Sequence, residues 1–156
     1  SISEQKKYDC NKPEFIEPDL QGCIHHAAHF PLECRSLSSS EYRNVIDQGA
    51  GTVGLSFFSE DKLEVGSYVE ILIPTPKKAA RFICKIICVR AVDTKYQIGL
   101  WFLSQSDSHK IRMVEQVCHI ELYVNERRFQ EGPFLSKEKL TQEWVERFAA
   151  QFPSMA

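Results

Sequence analysis

The run AARFICKIICVRAV-DT-KYQIGLWFL, residues 79–103, narrows the folds open to this chain more than any other stretch. Phe82, Cys84, Ile86 and Cys88 alternate along one side, and Tyr96, Ile98, Leu100 and Phe102 return in register after a two-residue reversal at Asp93-Thr94. Period-two alternation on both arms of so short a turn specifies an antiparallel hairpin. The opposite side of the first arm also carries Ile83, Ile87 and Val89, so further structure has to cover it.

Four more strand-like segments precede this hairpin. FPLECRSL (30–37) and EYRNVID (41–47) alternate, with a serine-rich turn between them. TVGLSFF (52–58) is rich in β-branched and aromatic residues, and YVEILIP (68–74) places Val69, Ile71 and Ile73 on one face before Pro74 ends it. Six short strands with close turns and no intervening helices predict a mainly β fold, a six-stranded antiparallel barrel closed on itself.

The period then changes. From Ser106 to Phe129, Ile111, Val114, Cys118 and Leu122 follow one helical line, and Met113, Val117, Ile120 and Val124 flank it. Gly132-Pro133 breaks the chain, and Ser136 is placed to cap a last helix stapled by Leu135 and Leu140. Leu140, Trp144 and Phe148 recur at helical spacing within it. The two helices complete the core as a hairpin, or present a partner or homodimer surface. The organisation expected is a flexible arm at 1–22, a barrel at 23–104 and a helical extension at 105–156.

Composition excludes several function classes. A net charge of −2 argues against a broad phosphate-tracking surface, hence against a nucleic-acid polymer as partner. No apolar run reaches the ~20 residues of a membrane span. Six cysteines without an apolar leader read as reduced, buried thiols of a cytoplasmic protein rather than as a disulfide framework.

Three of the five histidines fall in CIHHAAHF, residues 23–30. Cys23, His25, His26, His29 and Cys34 are competent zinc ligands, but their spacing matches no paired tetrahedral arrangement, so no metal is expected. No nucleophile elbow, Walker loop, HExxH or dinucleotide fingerprint is present, and GAGTVG leads into a strand rather than a helix. The chain is expected not to be an enzyme and to carry no cofactor.

The order of these features resembles the PilZ domain family over residues 23–104: a short signature, a strand pair, then Asp47-Gln48-Gly49-Ala50-Gly51-Thr52, then barrel strands ending in IGLWFL. The C-terminal segment is similar to the helical extension of small stand-alone bacterial members. The resemblance implies a six-stranded antiparallel barrel that binds cyclic di-GMP and signals to motility, adhesion or biofilm machinery. Family members hold that ligand with an arginine motif and a D/N-x-S-x-x-G motif. Guanidinium suits the task, being permanently charged, forked toward phosphate and flat against a purine. Here His25, His26 and His29 stand at the arginine positions, and Asp47 is retained while Gly49 and Thr52 replace Ser and Gly. Arg35 and Arg43 are the nearby cations that could compensate. The expectation is an adaptor with a degenerate nucleotide site, acting through a bacterial signalling or surface-machinery protein; the alternative is a receptor that holds cyclic di-GMP through its histidines.

Overall fold

The computed structural model describes residues 8–12, 22–43 and 54–152. Six strands form one sheet: β1 (Cys23–His25), β2 (Glu33–Ser36), β3 (Gly54–Ser59), β4 (Tyr68–Pro74), β5 (Ala79–Val92) and β6 (Lys95–Phe102). A one-turn helix α1 (Ser39–Tyr42) follows β2. Two long helices, α2 (Gln105–Glu131) and α3 (Lys137–Phe148), follow β6, and a 3₁₀ turn spans Ala149–Gln151.

The hairpin that dominates the sequence forms as expected. Val92 pairs with Lys95 across a two-residue turn, with Asp93 in the left-handed region at φ 54°. The alternation of β5 does not run through unbroken. A bulge between Ile86 and Cys88 shifts the pairing, so Phe82, Cys84 and Ile86 are buried whereas Cys88 is only half-buried.

The sheet is mixed and open, not the closed antiparallel barrel that the strand count predicts. Its order is β1-β3-β6-β5-β4-β2, and β1 runs parallel to β3, pairing Cys23 with Gly54 and His25 with Ser56. Among the described residues no ladder joins β1 to β2. The physical reason lies in strand length: β1 has three residues and β2 four, so neither edge offers enough backbone to close the sheet. The chain leaves β1, crosses to β2 at the far edge, and comes back to β3 beside β1 in the same direction. The close approach of β3 to β6 requires glycine at 54, where a Cβ would lie 2.3 Å from the Leu100 carbonyl oxygen.

The strand expected at 41–47 is also corrected. Ser39–Tyr42 is helical, and the remainder of that segment lies outside the described residues. The Glu41 carboxylate accepts hydrogen bonds from the Ser38 N–H at 3.0 Å and hydroxyl at 3.1 Å, a local bond that favours a helical turn over a strand.

The helices complete the core. Ile111, Cys118, Tyr123 and Val124 of α2 and Leu140, Trp144 and Phe148 of α3 are buried with the sheet's inner face. Residues 8–12 join them: Cys10 is buried and Tyr8 packs against the cluster. The flanking line drawn from the sequence is too wide. Met113 and Val117 remain exposed, and the true inner face carries Ser108, Glu115 and His119 instead. No helix of the described residues is long and apolar enough to cross a membrane.

Ser136 caps α3 as its position predicts, its hydroxyl accepting from the Lys139 N–H at 3.3 Å, and Leu140 is buried beneath. Ser136→Ala is expected to lower stability by about 1 kcal/mol, read as a shift of the urea midpoint with unchanged slope.

Candidate functional site

The three sequence-adjacent histidines part company in the fold. As β1 pairs with β3, alternation turns His25 and His26 to opposite faces. His25 is half-buried, with Nδ1 3.3 Å from the Ser56 hydroxyl and its ring edge-on to Phe58 at 5.8 Å. His29 lies exposed in the following turn.

His26 is 5% exposed and reaches α2. Its Nδ1 lies 2.7 Å from Oε2 of Glu115, and its Nε2 lies 2.8 Å from the Phe30 carbonyl oxygen. Paired with an ionised Glu115, the ring meets an acceptor at each nitrogen and donates from both, as an imidazolium. The second carboxylate oxygen of Glu115 accepts from the Ala27 N–H at 3.1 Å. Burial alone would lower the His26 pKa, but the Glu115 charge and these hydrogen bonds outweigh it and hold it above the ordinary value of 6.5. Glu115 is fully buried, and the pair ties the segment after β1 to the centre of α2.

One turn further along α2, His119 is set the opposite way. Burial, reinforced by the charge of His26 and His25, pushes it down to about 3, so it is neutral. Its Nδ1 is hydrogen-bonded to the Tyr8 hydroxyl at 2.9 Å.

Beside this tie opens a cleft of about 780 Å³. Phe30, Leu32, Phe57 and Phe58 contribute apolar surface to its lining, which also includes His25 and His26. Its charged lining is Glu60 and Asp61 after β3, Asp93 at the hairpin turn, and Lys95. With the His26 charge already matched by Glu115, three carboxylates against one ammonium make an unfavourable seat for a phosphodiester.

The compensating cations are placed elsewhere. Neither Arg35 nor Arg43 lines the cleft. Arg35 is engaged by Glu41 at 2.7 Å and Glu70 at 3.5 Å, and Glu70 also receives Arg81 at 3.3 Å. Asp47, Gly49 and Thr52 lie outside the described residues. Among the described residues no three His, Cys, Asp or Glu side chains converge as a metal cage. All six cysteines are free thiols, and burial pushes Cys23 and Cys34 up to about 11, so neither is a thiolate nucleophile at neutral pH.

Motif reasoning missed Glu115 and the buried role of His119. A signal existed for the first: Glu115 interrupts the apolar line Ile111–Cys118 at the position one turn after Ile111. A carboxylate in a buried stripe implies a cationic partner from another element. Compared with models of known protein families, with curated proteins and with solved structures, the chain has no match.

Proposed function

We propose that this chain is a PilZ-type adaptor of a bacterial cyclic di-GMP network, cytoplasmic and not an enzyme, which acts through a protein partner because its own nucleotide site has degenerated. The observation that carries this reading is the engagement of His26. The ring in the middle of the would-be clamp donates both of its N–H groups internally, to Glu115 and to the Phe30 carbonyl. It has neither a donor left for phosphate nor an exposed face for a purine.

Supporting features point the same way. His25 packs edge-on against Phe58, and Arg35 is held by two carboxylates. A cyclic dinucleotide brought into the cleft would meet Glu60, Asp61 and Asp93, with Lys95 as the cation in the lining. Each unbalanced charge pair at close range costs on the order of 1 kcal/mol even at aqueous dielectric, and more where water is excluded.

Isothermal titration calorimetry with cyclic di-GMP at neutral pH is the test. The expected result is no binding tighter than about 1 mM. A micromolar or tighter constant would overturn the adaptor reading in favour of a histidine-based receptor.

A further inference from the structure

We propose that the cleft beside His25 docks a basic segment of a partner protein, one in which arginine or lysine alternates with apolar residues. The inference rests on the adaptor reading above and assigns the chemistry of its partner.

Shape comes first. A cleft of about 780 Å³ falls within the range that accommodates several side chains, and its lining includes Phe30, Leu32, Phe57 and Phe58, the last 42% exposed. Aromatic side chains of this kind accept aliphatic groups and attract cations to their ring faces.

Charge then selects the occupant. Glu60 and Asp61 follow β3 and Asp93 sits at the β5–β6 turn, two connections at the same end of the sheet because Ser59 pairs with Tyr96. Among the described residues none of these three takes part in an ion pair. Arg35, the arginine nearest in sequence to the cleft segment, is already held by Glu41 and Glu70. Asp93 sits on a two-residue hairpin turn, so its carboxylate is presented from a fixed backbone. An acidic or phosphorylated segment would be repelled by this lining, whereas a basic one neutralises it while burying its apolar residues on the phenylalanines.

The probe is a fluorescein-labelled peptide of about six residues alternating Arg and Leu, with a Glu–Leu peptide of equal length as counterpart, both read by fluorescence anisotropy on the full chain. The expected result is saturable binding of the basic peptide only. The combined variant Glu60→Gln/Asp61→Asn/Asp93→Asn should weaken it about tenfold or more, and Phe58→Ala should weaken it as well. A control variant with two exposed carboxylates of α3 removed, Glu138→Gln/Glu146→Gln, should leave it unchanged. Circular dichroism on each variant confirms that it is folded. No binding by the wild type, equal binding of the acidic peptide, or an equal loss in the α3 control would overturn the proposal. Its failure is separable from that of the adaptor reading, which stands or falls on the nucleotide titration alone.

Discussion

Glu115→Ala is expected to destabilise the protein by about 3–5 kcal/mol, the largest effect of any polar substitution among the described residues. The carboxylate is fully buried and accepts two hydrogen bonds, from His26 Nδ1 and from the Ala27 N–H. Its removal strands an imidazolium and a backbone donor in the interior. The ring would have to release its proton, and the Ala27 N–H would still lack an acceptor. Glu115→Gln keeps the shape and one carbonyl acceptor, so it should recover part of the loss. Urea unfolding of the three proteins measures this directly. Equal stability of Glu115→Ala and wild type would show that the tie between β1 and α2 contributes nothing.

The same tie gives stability a pH signature with two opposed limbs. His26 holds its proton more tightly folded than unfolded, so its contribution is complete below the unfolded value of 6.5 and fades as pH rises through the folded value. His119 is pushed down to about 3, so its contribution is complete above 6.5 and fades as pH falls toward 3. From these two groups stability should peak near pH 6.5, with slopes of at most about 1.4 kcal/mol per pH unit on either side. His26→Gln should remove the alkaline limb and leave the acid one.

Trp144→Ala is the second large effect, about 3–5 kcal/mol, because the indole is fully buried and joins α3 to the rest of the core. Its ring lies 6.1 Å from Phe148 and 6.4 Å from Phe152, and those rings reach Tyr123 and His119 of α2 at 6.2 and 6.1 Å. Truncation would open a cavity where both helices and the 3₁₀ turn meet. Hydrogen exchange should show α3 amides losing protection before those of β5 and β6, whose pairing does not pass through Trp144. Unchanged protection in α3 would contradict this placement. Trp144→Phe should retain a larger share of the stability, since it leaves a smaller void.

How much of this was legible in the sequence depended on the length of each signal. The β5–β6 hairpin and the helices α2 and α3 announce themselves through long, regular periodicity, and the cap at Ser136 through its position after Gly132-Pro133. β1 has three residues, too few for alternation to register, so the parallel pairing that opens the sheet had no sequence signature. The one-turn helix at Ser39–Tyr42 depends on a capping bond between Ser38 and Glu41 that competes with the strand-like pattern of EYRNVID.

At the site, the histidine cluster was visible but its division of labour was not. Adjacent His25 and His26 differ because one backbone step reverses side-chain direction on a strand, and only the placement of α2 decides which face meets Glu115. Restoring arginine at all three positions, attractive from the motif alone, would force a longer guanidinium into the buried seat of His26. Overpacking of that kind typically costs about 1–3 kcal/mol, so arginine at the more exposed His25 and His29 is the milder way to reintroduce charge.

The most direct test of the central claim, that the middle histidine is a structural tie rather than a nucleotide clamp, is long-range ¹H–¹⁵N NMR of the imidazole nitrogens, with and without cyclic di-GMP. Both nitrogens of His26 are expected to carry protons at neutral pH, and neither signal is expected to move when the nucleotide is added. A neutral His26 ring, or a His26 signal displaced by cyclic di-GMP, would contradict it.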